Sequence, residues 1–473
     1  MFVGRSAELG KMDEMYASNT FEFAIIYGRR RVGKTTLIKE FIKDKKAIYF
    51  LAREANSQIN LEGFSNDVYA VTAKESKGNA VFTDWEKAFD YIYQVAKEER
   101  IVLAIDEFPY LAGGYRPISS IVQAHIDNQL KDSKLFLILC GSSMSFMEEQ
   151  VLGYRSPLYG RRTAQFKVTP FRFAECQPFL GRNKETDKAL IYGFTGGIPE
   201  YLSKLDPKKT VGENIVNLFL TPSGYFFEEP SNLLKQELRE PATYNGIIQA
   251  IAEGASRLNE IATKCGLESN KCAKYLKSLI SLGIVRKEYP VTETPASKKS
   301  IYLLDDLMFR FWYRFVFPNM SAVTAGLGNL IYAAEIEESL SAYMGLVFEE
   351  ICKQFLFEEA KKGATPFVAG KTGKWWGNNP MEKRQEEIDI LMYRKESALF
   401  CECKWTNTKV GVAVLDGLMK KSGIFSYEKK WFWLFAKNGF TKELVEREKE
   451  SGNVRLVSLD EMIIEGEYIR GEF

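Results

Sequence analysis

One histidine, His125, occurs in the whole chain of 473 residues. That scarcity excludes a His-rich metal centre, and the setting of His125 in ISSIVQAHIDNQL predicts a partly buried helix position. Seven cysteines (140, 176, 265, 272, 352, 401 and 403) are scattered without framework spacing, and an odd count does not suggest secreted disulfides. Cys401 and Cys403 stand one residue apart with no matching His or Cys cluster, which argues against zinc. No apolar run approaches a membrane span, and MFVGRSAELG lacks the pattern of a signal peptide, so a cytoplasmic protein with no membrane partner is expected. An excess of charge is also missing. Lys plus Arg total 64 against 62 for Asp plus Glu, so any nucleic-acid surface must be local.

What is present is ordinary globular composition, 45% hydrophobic and 27% charged, over a length that suggests about three domains. The chain is organised around FEFAIIYGRRRVGKTT (21 to 36). An apolar strand runs into Gly28, then Arg29, Arg30, Arg31 and Val32, then Gly33, Lys34, Thr35 and Thr36, and a helix-forming run follows. This is GxxxxGK[ST] between a buried strand and a helix start. The glycines let backbone N–H groups curl around a polyphosphate, and the helix N-terminus favours the same charge. Lys34 is expected to reach the β and γ phosphates of ATP and Thr35 to ligate Mg²⁺.

Further along, IVLAIDEF (101 to 108) reads as a buried parallel strand ending in two carboxylates, at the sheet edge where ligands sit. Asp106 is expected to hold the Mg²⁺ water shell, and Glu107 to orient and deprotonate the attacking water. LFLILCGSSMSF is a fourth buried strand whose polar end, Ser142 or Ser143, is suited to sensing the γ phosphate. SPLYGRRT carries Arg161 and Arg162, with Arg155 just before it, and Arg161 is the candidate finger towards a neighbouring subunit's nucleotide. A solvated basic loop is the competing reading. Gly196, Gly197, Ile198 and Pro199 should break a helix and restart it.

Taken in order, FVGR, GRRRVGKT, LAIDEF, CGSS, YGRR and GGIPEYL resemble the prokaryotic, archaeal-type branch of the AAA+ ATPases, related to the signal-transducing STAND NTPases. The resemblance covers about residues 1 to 235. It implies an α/β fold with strand order 5-1-4-3-2, adenine contacts by Phe2, Val3, Gly4 and Arg5, and a helical lid whose Gly197 and Pro199 face the nucleotide. The expected domains are an ATPase core (1–180), a lid (181–238), a winged helix (239–308), an aromatic connecting helix and linker (309–334) and a C-terminal domain (335–473).

The winged helix is read from YNGIIQAIAEG, LNEIATKCG and SNKCAKYLKSLISLG, with IVRKEY and SIYLLD as its wing. Lys271, Lys274 and Lys277 recur on one face of the third helix, opposite Cys272, Leu276, Leu279 and Ile280. Residues 256 to 290 hold seven basic and three acidic side chains. Both a DNA-reading helix and a packing and relay module fit this pattern. The aromatics of LDDLMFRFWYRFVFPN read as a buried helix with Arg310 and Arg314 at its polar edge.

The C-terminal stretch has a helix with Glu349, a WWG loop with Trp375 and Trp376, the strand EIDILMY and the strand ALFCECKW. Glu402 and Lys404, two apart on a strand, share a face, with Asp389 on the neighbouring strand. Two carboxylates and a lysine so placed would bind a divalent cation and hold a water for attack on a phosphodiester, with Asp389 and Glu402 as the ion ligands. The pattern is similar to the PD-(D/E)xK, restriction-endonuclease-like fold and to the uncharacterised domain that accompanies this ATPase branch. The expected function is a Mg²⁺-dependent ATPase whose nucleotide state controls a DNA-directed module. The alternative is a STAND-like switch that binds protein partners or assembles into a homo-oligomer.

Overall fold

A computed structural model describes residues 2–78, 80–181, 183–380 and 382–463. The chain divides into two compact units, Met1–Pro170 and Phe171–Phe473.

The first unit is built on five parallel strands, β1 (Glu22–Tyr27), β2 (Ala47–Leu51), β3 (Ile101–Asp106), β4 (Leu135–Gly141) and β5 (Ala164–Lys167), in the order β2-β3-β4-β1-β5. This is the 5-1-4-3-2 arrangement expected from the motifs. β3 and β4 are buried along their whole length, so both faces of the sheet must be covered. Alternation along β3 assigns the sides. Ile101, Leu103 and Ile105 enter one core, and Val102 and Ala104 enter the other. The second core is closed by Met12 and Met15 of α1 (Ser6–Ala17) and by Leu37, Ile38 and Phe41 of α2 (Lys34–Ile42). The first is closed by α3 (Ser57–Thr72), α4 (Trp85–Glu98), α5 (Phe108–Gly114) and α6 (Ile118–Asn128), with Trp85 and Phe89 at its centre. Asn56 and Asp84 cap α3 and α4 by accepting backbone N–H groups. His125 lies on α6 and is 9% exposed.

The second unit begins with helices. Glu185–Thr195 ends at Gly196, and Pro199–Leu202 restarts after it, with Gly196 and Gly197 both at positive φ (62° and 68°). Three helices, Pro241–Ala252, Leu258–Lys264 and Ser269–Ser281, precede an antiparallel hairpin of β6 (Val285–Glu288) and β7 (Ile301–Leu304). Lys271, Lys274 and Lys277 are exposed, and Cys272, Leu276 and Leu279 are buried. Ile280, expected on the buried face, is instead 38% exposed. It is one residue past Leu279, which already fills the inward position of that turn. In the aromatic segment Phe309, Phe311, Trp312, Tyr313 and Phe315 are buried, Trp312 Nε1 donates to the Phe227 carbonyl, and Arg310 lies over the Tyr343 ring.

A second sheet follows the long helix Leu340–Lys361. Its strands are β8 (Lys371–Asn379), β9 (Arg384–Arg394), β10 (Ser397–Lys404), β11 (Lys429–Ala436) and β12 (Val454–Ser458), in the order β12-β11-β10-β9-β8. β8, β9 and β10 pair antiparallel, whereas β10, β11 and β12 run parallel. The WWG stretch is therefore strand rather than loop. Trp375 is buried against Phe425, which holds a segment rich in Gly and Asn extended despite its low strand propensity. On one face of the sheet Leu399, Cys401 and Trp405 join an apolar core that runs from Phe171 to Met462, and on the other Ala398 and Phe400 meet Leu415 and Leu418 of the helix Val412–Ser422. Residues 464–473 of the expected C-terminal domain lie outside the described residues.

Candidate nucleotide site and a second carboxylate site

The first site forms at the C-terminal edge of the parallel sheet. β1 delivers the chain to Gly28, where a Cβ would stand 2.2 Å from the Val168 carbonyl oxygen, so only glycine passes. Gly33, at φ 89°, caps α2 and turns the loop into the helix, with Arg31 also left-handed at φ 72°. Lys34 is buried, and its ammonium donates to the Arg29 carbonyl at 2.9 Å, across the hollow of the loop. Arg30 donates to the Tyr110 hydroxyl at 2.9 Å. The loop is also tied to the N-terminal FVGR segment, because Arg5 donates to the Val32 carbonyl at 3.3 Å and to the Thr169 carbonyl at 2.5 Å. Phe2 and Val3 are half-buried and Gly4 is exposed, while Val32 is buried and Thr36 faces out from the first turn of α2.

The acidic pair meets this loop. Asp106 is 1% exposed and is surrounded by neutral donors: the Thr35 hydroxyl at 2.7 Å, the Tyr49 hydroxyl at 2.8 Å and the Glu107 N–H at 2.9 Å. Burial and the adjacent Asp106 hold the Tyr49 phenol well above its usual range, so it stays a donor. Glu107 takes a left-handed backbone (φ 53°) at the start of α5, and its carboxylate accepts from the Ser142 hydroxyl at 2.8 Å and the Ser142 N–H at 3.4 Å. Lys34, Thr35, Asp106, Glu107 and Ser142 thus converge. The Thr35 hydroxyl and the Asp106 carboxylate are hard oxygen donors of the kind Mg²⁺ takes, already side by side at the phosphate loop. Tyr49 and Tyr110 were not legible in the sequence, since neither lies in a motif.

Arg161 is not brought to this cluster. Its guanidinium grips Asp127 of α6 through Nε at 3.0 Å and Nη2 at 2.6 Å, and lowers that carboxyl's pKa while its own rises. Gly197 and Pro199 stand at the helix break of the second unit.

In the second sheet Asp389, Glu402 and Lys404 share a face, and Glu349 approaches from the long helix. Glu402 is buried and both its oxygens are taken, by Lys404 at 2.6 Å and by Lys421 at 3.1 Å. Asp389, 9% exposed, accepts the Cys403 N–H at 2.8 Å and has no ion-pair partner among the described residues. Burial, then Glu402 and Glu349, push its carboxyl up to about 7. Glu349, raised by burial, pairs with Lys374 at 3.1 Å, and Lys374 reaches Glu387 at 3.5 Å. Burial draws the Lys374 ammonium's pKa down, but Glu349, Glu387 and Asp389 outweigh it and hold it above its ordinary value. Among the described residues no three His, Cys, Asp or Glu side chains converge closely enough to hold a metal ion. Asp389 is thus a buried carboxylate beside Glu349 and Glu402, with no direct ion pair among the described residues. Lys374 and Lys421 were missed because topology alone brings them in.

Comparison with known proteins supports a P-loop ATPase domain in this part of the chain. Residues 2–205 match a family described as an ATPase domain predominantly from Archaea, and residues 312–414 match one described as archaeal and bacterial proteins of unknown function. The uncharacterized protein MJECL04 of Methanocaldococcus jannaschii is 36% identical over 413 residues, covering 86% of this chain and 88% of that protein. The uncharacterized ATP-binding protein MJ0423 of the same organism is 50% identical over 46 residues, 10% of this chain and 78% of its own. Among solved structures, the Walker-type ATPase paby2304 of Pyrococcus abyssi has a TM-score of 0.50 at 18% identity, covering 66% of this chain and 96% of its own. No described helix is long and apolar enough to cross a membrane.

Proposed function

The chain belongs to the family of MJECL04 and carries an ATP-binding and hydrolysing P-loop ATPase domain, and from that premise we propose that it is a Mg²⁺-dependent ATPase whose nucleotide state controls a DNA-directed, nuclease-like module at its C-terminus. The observation that carries the first half is the convergence of Thr35 on Asp106 and of Ser142 on Glu107 beside the phosphate loop. Thr35 and Asp106 would hold Mg²⁺, which supplies charge neutralisation at the phosphates when bound. The backbone N–H groups between Gly28 and Gly33 grip the polyphosphate, and Lys34 leaves the Arg29 carbonyl to follow the β and γ phosphates. Glu107 takes a proton from the attacking water, and Ser142 holds that carboxylate until the γ phosphate competes for its hydroxyl. Phe2 to Arg5 would lie against the adenine. A titration of the Lys34→Ala variant tests the assignment: ATP binding should be lost, and binding equal to wild type would sink it.

For the second half, the three helices and hairpin between residues 241 and 304 are read as a winged helix. The exposed Lys271, Lys274 and Lys277 form its candidate DNA face. Replacing all three should lower the slope of log affinity against log salt by roughly 3, one phosphate contact each. An unchanged slope returns this segment to a relay role. The second sheet is read as PD-(D/E)xK-like, with Asp389 and Glu402 as ion ligands, Lys404 stabilising charge at a scissile phosphate and Glu349 orienting water. The capture of both Glu402 oxygens by lysines favours a second reading, the STAND-like switch whose nuclease-like part binds protein without cutting.

A further inference from the structure

The hairpin of β6 and β7 reaches the second sheet, and Lys374 lies at the join. β8 is the outer strand of that sheet, so its backbone edge calls for a cover. The segment after β6 supplies it. The Val291 N–H donates to the Lys374 carbonyl at 2.9 Å, and the Tyr393 hydroxyl donates to the Val291 carbonyl at 3.2 Å. Val291 itself is buried in one core with Trp375, Ile388 and Leu391. The ladder between β8 and β9 shifts register between Gly373 and Trp375, where Asp389 and Ile390 of β9 stand opposite Lys374 alone. Such a bulge disrupts the ladder locally. Here the Lys374 carbonyl turns to the hairpin, and its ammonium turns to Glu349 and Glu387.

The hairpin adds charge as well as cover. Glu288, the last residue of β6, stands near enough to Glu349 to raise its pKa, after burial and Glu387. Among the described residues the buried Arg286 Nε and Thr372 Oγ1 atoms make no hydrogen bond, and Glu288 Oε2 has only the Arg286 guanidinium at 3.9 Å. Buried polar atoms without a hydrogen bond cost stability, so this contact is held below its optimum.

We infer that this hairpin is a clasp on the carboxylate site: by holding β8 it holds the Lys374 ammonium among Glu349, Glu387 and Asp389, where a divalent cation would sit, and its release opens that place. The inference rests on the proposal that Asp389 and Glu402 take such a cation. Lys374 is a positioning residue in it, acting through the carboxylates it neutralises.

The test uses the full chain without nucleotide, with Mn²⁺ as the probe. Val291→Asp should raise hydrogen exchange across residues 371 to 379 and tighten Mn²⁺ binding roughly tenfold, the scale of one lost like-charge interaction. Lys374→Met should tighten it as much, and the double variant no further, because both act on one element. Tyr393→Phe, which deletes only a hydroxyl, should give the same changes in smaller degree and stands in if Val291→Asp does not fold. Unchanged exchange in the release variants overturns the clasp. Raised exchange with Mn²⁺ affinity equal to wild type overturns its link to the site. Failure of the underlying cation reading looks different: no Mn²⁺ binding in any variant, with Asp389→Asn indistinguishable from wild type, and the inference falls with it.

Discussion

Two sheets in this protein carry paired carboxylates, and the surroundings of the two pairs differ in kind. Asp106 and Glu107 are held by hydroxyls and backbone N–H groups, donors that turn aside at small cost when a cation or phosphate arrives. Glu402 and Glu349 are held by ammonium groups, and Asp389 has no direct ion pair among the described residues, with Lys374 nearby. Neutral donors prepare a carboxylate for a cation, whereas lysines already stand in its place. Under the proposed function, the first site can take a cation directly, whereas the second must first give up its own counter-charges.

The sharpest way to break the contrast is to remove chemistry from the first pair. Glu107→Gln should bind ATP and hydrolyse it about 10²–10⁴-fold more slowly, the usual contribution of a positioned general base. A steady-state rate within a few fold of wild type would take the water-activating role from Glu107. The second pair should respond in stability instead. Replacing Lys404 and Lys421 together by Met strands the buried Glu402 charge, and denaturant unfolding should show a loss of about 2–3 kcal/mol. This lies below the range for a fully buried pair because the Lys404 side chain is 36% exposed. No loss would mean that Glu402 is compensated by something other than these lysines.

A pH series in chelator sharpens the same point. The Asp389 carboxyl is raised in the folded protein to about 7 from 3.8, so its contribution to stability is fully present below about pH 4 and is lost as pH rises through 7. Asp389→Asn should therefore be more stable than wild type at pH 8, by on the order of 2 kcal/mol, with the advantage shrinking towards pH 4. Melting curves that stay parallel across that window would contradict it. The smallest effect belongs to Tyr49→Phe, which removes one of three donors on Asp106. It should cost about 1 kcal/mol of stability and leave measurable ATPase activity, since Thr35 and the Glu107 N–H remain.

The phosphate loop and the carboxylates after β3 were legible because each depends on a local pattern, glycine spacing and an unbroken apolar run with charge at its end, whereas the strand order came from the family resemblance that these motifs carry. The helix break at Gly196 and Gly197 was legible for the same reason. Tyr49, Tyr110, Lys374 and Lys421 were not, since each reaches its partner across a fold contact that no neighbouring residue announces. β8 was hidden by its own composition. Gly373, Gly377, Asn378 and Asn379 read as loop, and what holds them extended is pairing with β9 and the burial of Trp375. The lone histidine was read as a partly buried helix residue and is found so, with Nδ1 2.9 Å from the Ile121 carbonyl oxygen.

The unbroken core of the second unit bears on how this chain can be dismantled or recombined. The ATPase family match extends to residue 205 and the C-terminal match starts at 312, yet side chains from Phe171 onward already share one apolar cluster with the last helix. A graft that kept residues 1 to 205 and discarded the rest would carry Phe173, Tyr192, Phe194 and Tyr201 into solvent as a sticky surface. The seam that leaves both fragments with a closed interior is at Pro170 and Phe171. A lineage that shuffled this ATPase onto new effectors would leave viable joints there rather than at the borders suggested by sequence similarity.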